Sequence, residues 1–272
     1  MLQDGEKGVI LQRDKKSFAV APHIPCGVVR PETLRCLADI AEKYGAEALK
    51  ITSAARIAIV GVDEKDVEAI WSDLGMSPGF AVGLCVRSVK ACPGTTFCKR
   101  GQQDSLSLGL KLDAKYHGME LPGKFKIGVS GCVHQCAETC IKDIGLVGTP
   151  KGWRVLVGGN GGVKPRLAQE LARDLTEEEA TDLIDRVIDY YRANAGASRR
   201  LGALIEKMGF DEFRDQEVAE FVGMDGVAQR VLDDQAVLLQ IVLHSRPDVR
   251  NLAVKFIAQP LIEIPDRLIL SV

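Results

Sequence analysis

The sequence has no excess of charge of either sign. Its 272 residues carry 35 Lys plus Arg against 37 Asp plus Glu. That balance gives no broad electrostatic footprint for nucleic acid or for an anionic membrane. Any chemistry that needs positive charge must draw it from a few local residues. No uninterrupted apolar run approaches the ~20 residues needed to cross a bilayer. The opening residues, MLQDGEKGVILQRDKKSF, lack the apolar stretch of a secretory signal, so residence in the cytoplasm is expected. Internal repeats and low-complexity segments are absent. There is no C-x-x-C pair, which argues against a thioredoxin-type redox site and a bacterial ferredoxin run. No recognisable motif binds flavin or nicotinamide, so electrons for any redox step must come from a separate donor protein.

What is present is a globular composition, 46% apolar and 26% charged, with eight cysteines. A chain this long buries a core without staples. Thiols are kept reduced in the cytoplasm, so these cysteines read as metal ligands or catalytic groups rather than as a disulfide framework.

Extended apolar pieces lie in residues 9–22. Pro31 opens a helix, PETLRCLADIAEKYG, with an apolar stripe of Leu34, Leu37, Ala38 and Ala41, and Gly45 ends it. ALKITSA and RIAIVGV are short strands. A second helix from Asp63 or Glu64 buries Val67, Ile70, Trp71 and Leu74, and GFAVGLCVRSV follows as a strand. That order predicts an α+β fold with a ferredoxin-like N-terminal unit. Beyond it, KFKIGVS and WRVLVGG are strands. Thr176 caps TEEEATDLIDRVIDYYRANA, with Glu179 at the capping-box position and Leu183, Ile184, Val187, Ile188 and Tyr191 on the buried face. RRLGALIEKMG is a helix that stops at Gly209. PRLAQELARDL also reads as a helix. The expected division is 1–82 for the ferredoxin-like half-domain, 83–212 for an α/β cysteine-bearing domain, and 213–272 for an appendage. The appendage either packs on the same core or serves as a dimerisation element.

Cys92 and Cys98 bracket CPGTTFC, and Cys132 and Cys136 bracket CVHQC. An iron–sulfur cubane needs converging thiolates, and two short loops of two sulfurs each meet that need. Pro93 and Gly94 let the first loop turn tightly. The second pair, read as one helical turn apart, has both sulfurs on one side. Structural zinc accepts the second spacing, but the first is too wide for it. Zinc and unligated thiols are the remaining readings. Cys26, Cys36 and Cys85 stand alone and read as packed thiols. Cys140 reads as a packed thiol or a spare ligand.

Three runs carry a family likeness: VRSVKACPGTTFCKRGQQDS, LPGKFKIGVSGCVHQC and KDIGLVGTPKGWRVLVGGNGG. Together they resemble the siroheme and iron–sulfur nitrite/sulfite reductases. The resemblance is nearest to the siroheme-binding part of the NADH-dependent nitrite reductase large subunit and to small single-repeat sulfite reductases. It extends over about residues 8–212. It implies a [4Fe–4S] cluster on Cys92, Cys98, Cys132 and Cys136, with Cys136 also bridging to the iron of a siroheme. The implied activity is reduction of a small oxyanion, sulfite to sulfide or nitrite to ammonia. The main alternative is an iron–sulfur electron carrier or assembly module that keeps the fold without siroheme.

The same resemblance implies roles for other residues. Lys124 and Lys126 in GKFK would supply positive charge and protons to the anion. On a strand, residues two apart share a face, so both would reach one pocket. Arg87 resembles an arginine that contacts the anion. Arg56 would face the siroheme carboxylates, standing in for an arginine that some relatives carry where this chain has Ala54. Asn160, in GGNGG, would contact the siroheme. His134 is a candidate hydrogen-bond donor to the cluster. Family members of full length have two related halves, and this chain has one. A homodimer is therefore expected as a way to bring lysines of one protomer to the siroheme of the other.

Overall fold

In the computed structural model, which describes residues 2–197 and 199–222, the chain is built on two sheets. The first is antiparallel. Strands β1 (Val9–Leu11) and β2 (Phe18–Val20) form a hairpin, and helix α1 (Pro31–Lys43) follows. Strands β3 (Ala48–Ile51) and β4 (Ile57–Val62) form a second hairpin, and helix α2 (Val67–Leu74) closes the unit. The spatial order is β1-β2-β4-β3.

This is the α+β, ferredoxin-like arrangement, with one correction. The run GFAVGLCVRSV does not return to this sheet. The edge beside β2 is taken instead by β1, from the N-terminal side. After α2 the chain passes Gly75, in a left-handed conformation (φ 58°), and pairs with the first unit through a bridge between Pro22 and Pro78. A proline has no N–H to extend a ladder. The core of this unit is Val9, Phe18, Val20, Leu37, Ile40, Ile59, Val62, Val67, Ile70 and Leu74. Each such side chain contributes ~1.5–3 kcal/mol when fully buried. Leu34 is exposed, so the buried stripe of α1 is Leu37 and Ile40, with Cys36 and Ala41 packed at its margin.

The second sheet holds β5 (Val86–Ala91), β6 (Phe125–Ser130), β7 (Ile144–Thr149), β8 (Gly152–Val157) and β9 (Gln169–Leu175), in that spatial order. β5, β6 and β7 run parallel, while β8 and β9 are antiparallel. A short helix α3 (Gly94–Phe97) and helix α4 (Ser105–Tyr116) form the crossover from β5 to β6. β6 lies inside the sheet, and Phe125, Ile127 and Val129 are fully buried, as expected of a central parallel strand. PRLAQELARDL is strand β9, not a helix: its pairing with β8 overrides its helical composition.

Helix α5 (Glu177–Asn194) begins with the expected capping box and buries the five expected residues. Helix α6 (Leu201–Met208) ends at Gly209, and helix α7 (Phe210–Val222) runs through the boundary placed at 212. The apolar stretches beyond residue 222, and with them the appendage's packing or dimerisation role, lie outside the described residues. Among the described residues no helix is long and apolar enough to cross a membrane.

Candidate cysteine cluster and adjoining basic cavity

The two cysteine loops leave from the carboxyl ends of neighbouring parallel strands. Ala91, the last residue of β5, is in register with Val129 of β6. Cys92 follows at once, and its N–H donates to Val129 O (3.0 Å). Cys132 follows two residues after β6 ends. Parallel pairing thus brings together two segments that are 40 residues apart in sequence. The loops touch through glycine. A Cβ on Gly131 would lie 2.7 Å from Gly94 Cα and 2.6 Å from Gln103 O, so only glycine permits this approach. Gly131 O accepts from the N–H groups of Gln102 (2.7 Å) and Gln103 (3.0 Å).

Cys92 Sγ accepts a hydrogen bond from Gly131 N–H (3.1 Å) and lies 3.2 Å from Ser105 Oγ. Ser105, wholly buried at the start of α4, also donates to Cys92 O (2.9 Å). Cys98 caps the C-terminus of α3, with its N–H on Gly94 O (2.9 Å). Cys132 is buried and Cys136 is exposed. CVHQC is not a helix but a series of turns. Gln135 (φ 52°) and Glu138 (φ 58°) are left-handed, which breaks helical spacing between Cys132, Cys136 and Cys140. Cys140 sits in a separate 3₁₀ turn, Thr139–Ile141. Cys26 and Cys85 are buried, as expected of packed thiols. Among the described residues no three His, Cys, Asp or Glu side chains close in tightly enough for a single metal ion. The donor set fits an iron–sulfur cluster. It offers four thiols on two loops, with a backbone N–H directed at one sulfur and a hydroxyl 3.2 Å from the same sulfur.

Beside the second loop lies a polar cavity of about 170 Å³, lined by Ser53, Ala54, Ser88, Lys90, Lys126, Glu138, Ile141, Lys142, Gly161 and Arg200. Lys126 is half-buried within β6. Burial, then Lys142 and Arg200, push its ammonium below the ordinary lysine value. Among the described residues it has no carboxylate partner at ion-pair distance. Glu138 binds Lys142 (2.9 Å) and Lys90 (3.1 Å), which hold its carboxyl down at about 2. Arg200 grips the wholly buried Asp143 (Nε to Oδ1, 2.8 Å). Burial pushes the Asp143 carboxyl up, while Arg200 and the Lys126 N–H oppose that shift. Four cations against two carboxylates leave the wall positive. The cavity has room for a small oxyanion or a carboxylate arm, not for a whole macrocycle. The cations of this wall would pair with the carboxylate arms of a tetrapyrrole.

Of the residues expected here, the structure brings only Lys126 into the cavity. Lys124 precedes β6, is exposed and does not line the cavity. Arg56 is buried, but it donates to Gly79 O (2.6 Å) and to Arg87 O. Arg87 donates to Gly83 O (2.9 Å) and Ala81 O (3.0 Å). Both guanidinium groups donate to backbone carbonyls of residues 79–87. Ala54, not Arg56, faces the cavity. Asn160 shapes its own loop, donating to Lys164 O (2.9 Å) and accepting from Arg166 (3.3 Å), while the next residue, Gly161, reaches the cavity. Sequence reasoning missed Lys90, Lys142, Arg200 and Ser105. Lys90 carried a signal, two residues before Cys92.

Family models match on both sheets. Residues 82–221 match the nitrite and sulphite reductase 4Fe-4S domain, and residues 10–77 match the nitrite/sulfite reductase ferredoxin-like half domain. The chain belongs to the nitrite/sulfite reductase family. It is 43% identical over 213 residues to an assimilatory-type sulfite reductase of Nitratidesulfovibrio vulgaris, covering 78% of this chain and 98% of that protein. It is 39% identical over 199 residues to a nitrite reductase [NAD(P)H] of Bacillus subtilis, covering 73% of this chain but 25% of that one. A solved dissimilatory sulfite reductase I shares the fold, with TM-score 0.67, 16% identity, and coverage of 78% of this chain and 70% of that chain.

Proposed function

We propose that this chain is a siroheme- and [4Fe–4S]-dependent reductase of a small oxyanion, taking sulfite to sulfide or nitrite to ammonia. One observation carries the reading: the two cysteine loops meet on adjacent strand ends, and a positively charged cavity adjoins them. Cys92, Cys98, Cys132 and Cys136 would hold the cluster, and Cys136, the exposed one, would face the siroheme. When bound, the pair supplies electrons singly to the anion's central atom, six in all.

The chain's own residues supply charge and protons. Lys126 and Lys142 would attract the anion and offset the charge that builds on oxygen. The lowered pKa of the Lys126 ammonium makes it the readier proton donor as oxygen leaves as water. Glu138 and Asp143 hold Lys142 and Arg200 in place. Arg56 and Arg87 act at one remove, by fixing residues 79–87. Lys126 and the loop after Cys136 line one cavity within a single chain, so this reading does not require a homodimer. Electrons come from a separate donor, and residence in the cytoplasm suits eight unpaired thiols.

The test is the absorption spectrum of protein purified without oxygen from a siroheme-making host. A Soret band with a chlorin-like red band over iron–sulfur absorption is expected. Iron–sulfur absorption alone, unchanged by added siroheme, would leave an electron carrier instead.

A further inference from the structure

Strand β5 is irregular where it borders the basic cavity. Val86 is in register with Phe125 of β6, but the next aligned pair is Ser88 with Lys126. Arg87 is therefore an extra residue, a bulge in a parallel pair. Side chains on a strand alternate between faces, so without a bulge Ser88 would share the face of Val86, which is fully buried beside Phe125. The extra residue turns Ser88 to the opposite face, level with Lys126. Val89 then returns to the core beside Ile127, and Lys90 follows Ser88 into the cavity wall. The bulge is held on both sides. Arg56 donates to Arg87 O, while the Arg87 guanidinium donates to Gly83 O (2.9 Å) and Ala81 O (3.0 Å).

Ser88 is only 6% exposed, and what it exposes lines the cavity. Among the described residues its hydroxyl has no hydrogen-bond partner, yet it is not sealed inside protein, so the donor opens on the cavity. A hydroxyl left unpaired at such burial costs free energy, which an acceptor in the cavity would offset. The neighbouring cations are engaged: Lys90 and Lys142 share Glu138, and Arg200 holds Asp143. Lys126, like Ser88, is uncommitted, and the two stand side by side on strands ~4.8 Å apart. We infer that Ser88 is a substrate-contacting residue, donating a hydrogen bond to one oxygen of the sulfite or nitrite whose other oxygen faces Lys126. The inference rests on the reductase reading and deepens it. Two donors on adjacent strands suit an anion with two oxygens on one central atom. The hydroxyl also adds a directed contact without adding charge beside an ammonium already crowded by Lys142 and Arg200.

The test compares the siroheme-loaded wild type with Ser88→Ala, Ser88→Thr and the double variant Ser88→Ala/Lys126→Met. Calorimetry gives Kd for sulfite and nitrite with the oxidised protein, viologen-driven rates give KM, and extraction gives siroheme per chain. Ser88→Ala should raise Kd and KM by about tenfold or more, the loss expected of a hydrogen bond to a charged group. Ser88→Thr keeps the hydroxyl and should stay within about threefold of wild type. Siroheme content and cluster absorption should be unchanged in both. Because Ser88 and Lys126 share one anion, the double variant should lose less affinity than the product of the two single losses. Wild-type Kd and KM in Ser88→Ala overturn the inference. So does an equal loss in Ser88→Thr, which would assign the effect to packing rather than to the hydroxyl. A fall in siroheme content with anion affinity per bound siroheme unchanged also overturns it, because the hydroxyl would then serve the cofactor. A wild type that neither binds the anions nor oxidises viologen would instead sink the reductase reading, and this contact with it.

Discussion

At the scale of single residues, Lys126 and Ser105 carry separate parts of the account. Lys126→Met keeps the bulk and removes the charge. Loss of one charged donor to a developing anion costs ~10²–10³ in rate. We expect kcat/KM for sulfite and nitrite to fall by about that factor, with cluster absorption intact; an unchanged rate would remove Lys126 from the site. Ser105→Ala deletes a hydroxyl 3.2 Å from Cys92 Sγ. With a thiolate at Cys92 that hydroxyl can turn its proton from Cys92 O to the sulfur, and hydrogen bonds to cluster sulfurs stabilise the more negative, reduced state. A lower midpoint potential is expected by redox titration, with iron content unchanged. Lys126 was legible in the sequence because KFK stands just before the second cysteine loop. Lys142 and Arg200 were not, because the cavity gathers them from a turn before β7 and the segment before α6. Arg56 and Arg87 were noticed for the charge they carry, yet tertiary contacts turn both onto backbone carbonyls.

At the scale of elements, local signals were read well and long-range pairings were not. The Thr176 capping box is contained within four residues, and the structure has it as read. β9 was misread because Leu171 and Leu175 stand four apart. That spacing puts two side chains on one face of a helix, while the strand is set by its irregular pairing with the distant β8. CVHQC looked helical by count, but two left-handed residues make it a turn. The glycine contact between the cysteine loops gives a sharp prediction. Gly131→Ala would drive its Cβ into Gly94 and Gln103, so the purified variant should lose most of its iron and acid-labile sulfide. Full iron content in that variant would show that the loops can part without losing the cluster. Helix α4 also joins the two sheets. His23 binds its Asp113 (2.7 Å) and stacks on His117, with ring centroids 3.5 Å apart. Burial, then His23, push His117 down to about 4. A histidine kept neutral in the fold takes up its proton on unfolding, so the stability it contributes is present above its ordinary pKa of ~6.5 and is lost as pH falls toward 4. Urea midpoints should drop over that window in the wild type and drop less in His117→Phe. Equal drops would assign the acid sensitivity to other groups.

For the whole molecule, the proposed reading needs one set of cysteines and one basic cavity, and both lie on the two-sheet plan of the described residues. The ferredoxin-like unit contributes Ser53 and Ala54 to a cavity whose charged wall comes from the second sheet and its connections. The family resemblance was legible because the cysteine loops and the lysine segment are contiguous in sequence. The closure of the cavity was not, because it depends on how the two sheets meet. The central claim is a complete reduction by the siroheme-loaded protein, and electron stoichiometry tests it most directly. Oxidation of reduced viologen by the siroheme-loaded protein, counted against sulfite or nitrite consumed, should give six electrons per anion, with sulfide or ammonia as product. Two electrons per anion, or no viologen oxidation above that of a Cys136→Ser variant, would contradict it.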